Sequence, residues 1–360
     1  MIDIPRGTWI AAAEWLPATS RTPQDALLLG QVTAEEIAAM GYSYLPCSED
    51  LSAPQMAAEA GLAALERAQV DPARLGSVHH AWTYYQGHDF WSPAHYVAAR
   101  LGARHAVPVG IQQMCNGGAA ALEAAVARLA VTAPPACALV TTADRFVAPG
   151  FDRWAGDYGV WYGDGATAAV LGRAATPGTV PPERSLQLRA LVTRAQPDLE
   201  VVHRGRDRFH AAAGELGPVD VRRTKKAYLS GTSRDAFVAR LRRCTTEVLA
   251  AALAQAADRP GACTDSGPRS VLLPRLGAAT ARDIYGKAVA EVTGAPAVDL
   301  GAGTGHLGAG DALSNLAALS DPSHPQGLLP GEYAVVLSAG AGFTWSALVV
   351  QRPTEQTDPS

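Results

Sequence analysis

One cysteine of the chain has a setting in which a thiol can act as a nucleophile. Cys115 follows an extended run at 106–112 and precedes Gly117 and Gly118, which open a run of small residues typical of a helix. Amide groups in the first turn of a helix have no partners within the helix, and the helix dipole favours negative charge there. This setting favours a thiolate and supplies donors for the oxygen of a thioester. We therefore predict that Cys115 carries an acyl group as a thioester.

The remaining cysteines have no comparable setting. They are widely spaced, and none forms a CxxC pair, so the sequence predicts neither a zinc site nor a disulfide framework. We interpret them as buried packing residues: Cys47, Cys137, Cys244 and Cys263.

A histidine in the second half of the chain has a similar setting. His306 follows a Gly-Thr-Gly turn and precedes a predicted helix over 307–319. The positive end of a helix disfavours an imidazolium, so we predict a neutral ring that acts as a base. Asp311 lies near the start of the same helix, where it either orients or charge-balances a catalytic group or has no functional role.

The two settings resemble each other, which suggests a duplicated fold. The octapeptides that begin at Cys115 and at His306 share Gly, Ala and Leu at offsets two, six and seven. A proline-rich stretch, 177–182, predicts a linker between two halves, 1–175 and 183–360. We expect Cys115 and His306 to face each other across a pseudo-symmetry axis.

Alternating strand and helix patterns in both halves predict an α/β fold with a mostly parallel sheet covered by helices. The stretch 196–232 is less regular, and we interpret it as an inserted, partly mobile segment. The predicted strands cover 77–83, 106–112, 137–143, 166–171, 186–194, 270–274, 297–300, 333–338 and 345–351. The predicted helices cover 55–70, 94–101, 116–130, 234–257, 279–293 and 307–319.

Composition and charge exclude several classes of protein. Hydrophobic residues make up 48% of the 360 residues and charged residues 18%, which is typical of a well-packed globular protein. The net charge of -4 gives no basis for nucleic-acid binding through bulk charge. No apolar run approaches the ~18 residues that span a bilayer, and the N-terminus lacks an apolar signal core, so we expect a cytoplasmic protein.

Three segments resemble the ketoacyl synthase III family of the thiolase superfamily. The segment QQMCNGG at 112–118 is similar to the nucleophile turn of the family, and YGDGA at 162–166 is similar to its GDGA segment. SAGAGFTW at 338–345 is similar to its C-terminal glycine-rich turn, whose backbone amide completes an oxyanion hole. The resemblance covers nearly the whole chain apart from roughly 195–230. It implies the thiolase fold, duplicated in five αβαβα layers, and an oxyanion hole built from backbone at Cys115 and Ala341.

The chain departs from the condensing members of that family at two positions. Arg275 replaces the histidine of their Pro-His-Gln-Ala-Asn segment, and His306 replaces the asparagine of their Gly-Asn-Thr segment. Decarboxylation of a malonyl thioester needs donors for the developing enolate charge, and the condensing members use two side chains for this. The resemblance therefore implies the acyltransferase branch, which moves acyl groups between carrier proteins or onto hydroxyls in polyketide and related pathways.

Two alternatives stay open, a decarboxylating starter-unit synthase and a catalytically silent partner subunit. The resemblance implies a homodimer, donors carried on an acyl carrier protein (through phosphopantetheine) or on coenzyme A, and no metal or redox cofactor. We predict contacts with substrate from residues in or near the aromatic segments: Arg275, Trp82, Phe90 and Trp161. A basic cluster either steers acidic carriers and phosphates or is a solvated helix face: Arg222, Arg223, Lys225 and Lys226.

Overall fold

Two groups of β-strands meet edge to edge in the computed structural model, which describes residues 2–133, 137–173, 185–212, 215, 217–259 and 267–354. The strands are β1 (Thr8–Trp15), β2 (Ser20–Arg21), β3 (Leu45–Pro46), β4 (Leu75–Ala81), β5 (Val107–Ile111), β6 (Cys137–Asp144), β7 (Gly165–Arg173), β8 (Leu186–Ala195), β9 (Val271–Leu272), β10 (Ala297–Val298), β11 (Tyr333–Gly340) and β12 (Thr344–Gln351). All of them except the short pair β2 and β3 belong to one sheet.

The helices cover both faces of this sheet. They are α1 (Pro23–Leu28), α2 (Ala34–Met40), α3 (Ala53–Ala68), α4 (Pro93–Arg100), α5 (Gly117–Val131), α6 (Val201–Arg204), α7 (Val221–Ser230), α8 (Arg234–Ala257), α9 (Ala278–Thr280), α10 (Lys287–Val292) and α11 (Asp311–Ser320). A π-helical turn, Ala281–Gly286, joins α9 to α10. No described helix combines the length and the apolar character that crossing a membrane requires.

The two halves of the sheet have the same plan. The strand order is β10-β9-β11-β12-β8-β1-β7-β6-β4-β5. Counted within each half, both halves have the order 3-2-4-5-1 from the outer edge to the centre, with the same parallel and antiparallel pairings. At the centre β1 and β8 pair only through Trp9 with Gln187 and Ile10 with Leu186. This is the duplicated arrangement that the thiolase resemblance implies.

Helices α5 and α11 form the middle layer of the molecule. A single hydrophobic cluster joins Leu122 of α5 and Leu313 of α11 to strands of both halves. The contact is close, because a Cβ atom on Gly118 would lie 2.6 Å from the carbonyl oxygen of Ala309. Outside the sheet, α3 and α4 cover the N-terminal half, and α8 with the segment 278–292 covers the C-terminal half. The layers therefore run α, β, α, β, α. The turns that contain Cys115 and His306 both lie at the central layer, where they precede α5 and α11.

Several details differ from the sequence-based expectations. The sheet is mixed, because only the pairings of β4 with β5 and β6 and of β9 with β10 and β11 are parallel. The pattern also missed β1, a central strand buried along most of its length; such a strand lacks the alternation that marks a half-exposed one. The segment 196–232 contains α6 and α7. The predicted linker at 177–182 and Cys263 lie outside the described residues.

Candidate active site

Cys115 lies in a tight turn between β5 and α5. The preceding residue, Met114, has a left-handed backbone conformation with φ of 49°. The N–H of Asn116 donates to the carbonyl oxygen of Gln113 at 3.2 Å, and the N–H of Gly117 donates to that of Met114 at 2.8 Å. The Cys115 side chain is partly exposed and faces a cavity. The turn thus presents the thiol to the cavity at the start of a helix.

The glycine-rich turn between β11 and β12 packs against the Cys115 turn. A Cβ atom on Gly340 would lie 2.5 Å from the backbone nitrogen of Asn116 and 2.8 Å from the carbonyl oxygen of Gln113, so this position requires glycine. Ala341, the predicted oxyanion residue, follows directly and lines the same cavity as Cys115. The structure therefore brings together the two backbone positions that the sequence singled out.

Backbone hydrogen bonds from the N-terminal half of the molecule hold His306 in place. Its N–H donates to the carbonyl oxygen of Trp161 at 2.9 Å, and its own carbonyl oxygen accepts from the N–H of Gly163 at 3.1 Å. A Cβ atom on Gly163 would lie 2.0 Å from the carbonyl oxygen of Thr304, so the GDGA segment can approach this turn only with glycine there. His306 is 1% exposed.

Asp311 orients the imidazole of His306. Its Oδ2 lies 2.6 Å from Nδ1 of the ring. The same carboxylate accepts from the backbone N–H of Leu307 at 2.9 Å and from that of Arg275 at 2.8 Å. With Nδ1 engaged, Nε2 is the ring nitrogen left to interact with Cys115, whose side chain lines the same cavity and raises the pKa of His306. The three residues form a Cys–His–Asp arrangement at the centre of the fold.

The protonation of His306 differs from the predicted neutral ring. Burial lowers the pKa of His306, but the negative charges of Asp311 and Cys115 outweigh it and raise the pKa well above the usual value of about 6.5. Burial also raises the pKa of Asp311, yet the charge of His306 brings it below its ordinary value. The helix-end argument fails because a carboxylate at 2.6 Å outweighs the partial charge of a helix end.

Arg275 lies behind Asp311 and does not face Cys115. Its Nη1 donates to Oγ1 of Thr304 at 2.8 Å, and its Nη2 donates to Oδ1 of Asn315 at 3.2 Å. The side chain is buried outside the lining of the cavity at Cys115, contrary to its predicted contact with substrate. Its positive charge helps to lower the pKa of Asp311. Arg275, which replaces the family histidine, therefore stabilises the charged form of Asp311 and does not contact the thiol.

A mostly apolar cavity of about 290 Å³ opens onto Cys115 and His306. The ring centroid of Tyr162 lies 5.2 Å from that of His306. Tyr285 reaches the cavity from the π-helical turn, a feature that often occurs at functional sites. Helices α6 and α7 supply one wall, so the irregular segment 196–232 helps to enclose the cavity. The apolar lining includes Phe146, Phe151, Val160, Leu276, Ile284 and Phe343.

Three aromatic residues that were predicted to contact substrate lie outside this cavity. The ring of Trp82 stacks on His80, with centroids 5.5 Å apart. Trp161 is buried in a separate cluster with Tyr42 and Trp154. Phe90 is fully exposed and has φ of 50°. The aromatic composition of a loop does not determine which way its side chains point. The sequence therefore did not predict which aromatic residues line the cavity.

The predicted docking cluster divides between the surface and the cavity. Arg222 and Arg223 pair with carboxylates at the surface, at 2.7 and 2.5 Å, and Lys226 is exposed. Lys225 instead lines the cavity, where its Nζ lies 2.5 Å from Oδ1 of Asp157. This corrects its assignment to a carrier-docking surface. On a helix, residues of one face recur every three or four positions, so four cations close together in sequence cannot all lie on the same face. In α7 Lys225 is the one that faces the cavity.

Sequence reasoning missed much of the cavity lining, including the polar residues Asp157, His203 and Tyr285. Each is a single polar residue within a loop or helix, without a motif around it. Only their convergence from separate segments shows that they share a site. The other described cysteines fit the interpretation as packing residues, since burial raises the pKa of each thiol: Cys47, Cys137 and Cys244.

Solved structures of related proteins match this chain along its length. ChlB3, described as an acyltransferase, is 30% identical, with 97% of this chain and 98% of that one covered and a TM-score of 0.83. The 3-oxoacyl-[acyl-carrier-protein] synthase III of Aquifex aeolicus is 19% identical, with coverage of 96% and 100% and a TM-score of 0.72. OleA of Xanthomonas campestris, solved with lauric acid and lauroyl-CoA, is 16% identical, with coverage of 96% and 99% and a TM-score of 0.71. No family model and no curated protein matches the sequence.

The chain belongs to the ketoacyl synthase III-like family of the thiolase superfamily. It is accordingly a thiolase-fold enzyme of acyl transfer or acyl condensation.

Proposed function

We propose that the protein is an acyltransferase that moves an acyl group from a carrier-protein or coenzyme A thioester, through Cys115, to an acceptor thiol, hydroxyl or amine. The observation that carries this proposal is the position of Arg275. In place of a second catalytic side chain at the thiol, this residue lies buried behind Asp311. Cys115 then has His306 as its acid–base partner, and a nucleophile with one such partner is what acyl transfer requires.

The first half-reaction uses the Cys115–His306 pair. The sulfur of Cys115 attacks the carbonyl carbon of the donor thioester, and the new C–S bond forms as the donor C–S bond breaks. Backbone amides at Cys115 and Ala341 stabilise the oxyanion, as the contact between their turns supports. The imidazolium of His306 gives its proton to the departing carrier thiolate, and the raised pKa of His306 favours this protonated form.

The second half-reaction reverses these roles. The acceptor thiol, hydroxyl or amine attacks the acyl-cysteine while Nε2 of His306 takes the acceptor proton. The bond between the acyl carbon and the Cys115 sulfur breaks, and the thiolate and imidazolium are restored. Asp311 holds the ring in one orientation through both steps. One histidine therefore serves both half-reactions by alternating between acid and base.

Two features support the proposed partners and pathway. ChlB3, at 30% identity over nearly the whole chain, is described as an acyltransferase, and another structural neighbour at 18% identity is the priming ketosynthase of a polyketide pathway. A carrier protein or coenzyme A would bring the donor on a phosphopantetheine arm.

The proposed homodimer has a possible contact surface at the edge of the sheet. Strand β5 forms one edge, and Val107 on it is exposed, so two copies could pair there.

The test distinguishes transfer from decarboxylative condensation. The enzyme is charged with an acyl donor, and intact-mass spectrometry follows the acyl adduct, which should form on the wild type and not on Cys115→Ala. The charged enzyme then receives either a panel of acceptors or radiolabelled malonyl-carrier protein. We expect acyl transfer to an acceptor without labelled carbon dioxide. Formation of carbon dioxide and a 3-oxoacyl product, dependent on Cys115, would overturn the proposal in favour of a condensing enzyme.

A further inference from the structure

We propose that the cavity contains a polar subsite, formed by Asp157, His203, Lys225 and Tyr162, that binds a hydroxyl-class substituent on the acyl group carried by Cys115. This inference rests on the proposed function, because it names the substrate class of the same site. The substituent is neutral and both donates and accepts hydrogen bonds. An unsubstituted hydrocarbon acyl group is the poorer substrate.

Asp157 is the centre of the polar subsite. Its Oδ1 lies 2.5 Å from Nζ of Lys225, and its Oδ2 accepts from Oη of Tyr162 at 2.7 Å. The carboxylate also accepts from the backbone N–H of Tyr158 at 2.5 Å. The side chains of Asp157 and Lys225 are only 5% and 19% exposed. A buried ion pair of this kind therefore lies in the wall of an otherwise apolar cavity.

His203 adds an unsatisfied group to the same wall. Within the described part of the chain, its buried Nδ1 has no hydrogen-bond partner. Its ring centroid lies 5.3 Å from that of Phe343, in the lining of the cavity. Burial, followed by the charge of Lys225, lowers the pKa of His203 to about 3, so the ring is neutral. A neutral imidazole offers one donor and one acceptor.

These contacts define the chemistry of the ligand. A hydrocarbon acyl group would leave Nδ1 of His203 and the remaining N–H groups of Lys225 against apolar atoms, and unpaired buried polar groups are costly. The charges of Lys225 and Asp157 cancel and His203 is neutral, so the subsite carries no net charge to attract an ionic ligand. A role confined to joining α7 to the loop before Tyr162 would account for the ion pair, but not for the unpaired nitrogen of His203. A hydroxyl on the acyl group can accept from Lys225 and bond to the neutral ring of His203, since both residues line the cavity.

The experiment compares matched acyl donors on the same pantetheine arm. Each pair contains one unsubstituted acyl group and its hydroxylated forms, for example butyryl with 3-hydroxybutyryl and benzoyl with each hydroxybenzoyl isomer. The rate of acyl-Cys115 formation is followed by intact-mass spectrometry. We expect at least one hydroxylated donor to react about 10- to 100-fold faster than its parent, the range for a hydrogen bond to a charged group. If every hydroxylated donor reacts no faster than its parent, the subsite proposal is overturned.

Two variants assign the preference to the subsite. His203→Phe retains the ring packing and the ion pair while removing the ring nitrogens, and Lys225→Met removes the cation. Both should lower the ratio of the hydroxylated to the parent rate towards one. Arg282→Met, which removes an exposed cation paired with Asp283, is the matched control and should keep the wild-type ratio. Folding is checked by thermal unfolding, and because His203→Phe leaves Asp157 paired, it tests the proposal even if Lys225→Met does not fold.

The outcomes separate this inference from the proposed function. If no donor of either kind forms acyl-Cys115, the proposed acyl transfer fails. If both members of each pair form the acyl-enzyme equally well, only the polar subsite fails. An unchanged rate ratio in His203→Phe also overturns the subsite, because the preference then originates elsewhere in the cavity.

Discussion

The two turns at the centre of the molecule have similar sequences and different physical roles. Each precedes a helix of small residues, and each contains glycines that allow close approach. The Cys115 turn, however, leaves its side chain partly exposed to a cavity, whereas His306 is almost completely buried. Backbone bonds to 161–163 and a carboxylate at 2.6 Å hold His306 in place.

This difference matches what each residue must do. A nucleophile must contact donors and acceptors of different sizes, so the Cys115 turn lies beside an open cavity. An acid–base group must keep one orientation through two half-reactions, so its turn is fixed by the surrounding backbone. A duplicated fold thus provides two equivalent helix starts, and burial and hydrogen bonding assign different tasks to them. Four changes test this division, in order of expected effect.

The largest effect is expected from removing the fixed group. His306→Ala should slow turnover by about 10²–10⁴-fold, because one histidine serves as acid and base in both half-reactions. Single-turnover acylation and deacylation, measured separately by mass spectrometry, should both be slow. A loss confined to one half-reaction would contradict the shared role, and near-normal turnover would mean that another group moves the protons.

A smaller loss is expected when the ring loses its support. Asp311→Asn should lower turnover less than His306→Ala does, because the imidazole keeps a hydrogen-bonding neighbour and loses only the charge of its partner. The charge of Asp311 raises the pKa of His306 against the effect of burial, so its removal should shift the titration of His306 to lower pH. NMR titration of ¹⁵N-labelled histidine measures this. The control is Asp283→Asn, a surface carboxylate paired with Arg282. An unchanged pKa of His306 in Asp311→Asn would show that the pair is not electrostatically coupled.

Overpacking the fixed turn tests its rigidity. Gly163→Ala would place Cβ 2.0 Å from the carbonyl oxygen of Thr304 and should cost about 1–3 kcal/mol in the free energy of unfolding. Gly294→Ala is the matched control, since no described atom lies within 4 Å of the added Cβ. Denaturant unfolding gives both values. Equal stability of the two variants would contradict a tightly packed His306 turn.

The smallest effect is expected at the solvent-facing side of α7, whose cations do not line the cavity. Glutamate at Arg222, Arg223 and Lys226 together should slow use of carrier-bound donors on the order of tenfold at low salt. Small thioester donors should be little affected, and salt should reduce the difference. Arg282→Glu, a charge reversal at an exposed residue outside α7, is the control. An equal loss on both donor types would indicate a structural role for this face.

Much of the fold could be predicted from local patterns. Helix 234–257 agrees with the structure because it is long and rich in helix-forming residues, and the strand beginning at residue 137 because it is a short apolar run. The strand β1 escaped detection because burial on both faces removes alternation. The mixed direction of the sheet was also missed, since strand direction depends on how distant segments connect.

Local sequence also determined which turns contain the reactive groups, because a nucleophile or base before a glycine-rich helix start is a short-range pattern. Tertiary structure alone decided the rest. It turned Arg275 away from the thiol, placed Lys225 inside the cavity and set Asp311 beside His306. Each outcome depends on contacts between residues far apart in the chain, and the electrostatic effect of a neighbour at under 3 Å exceeds any that sequence position implies.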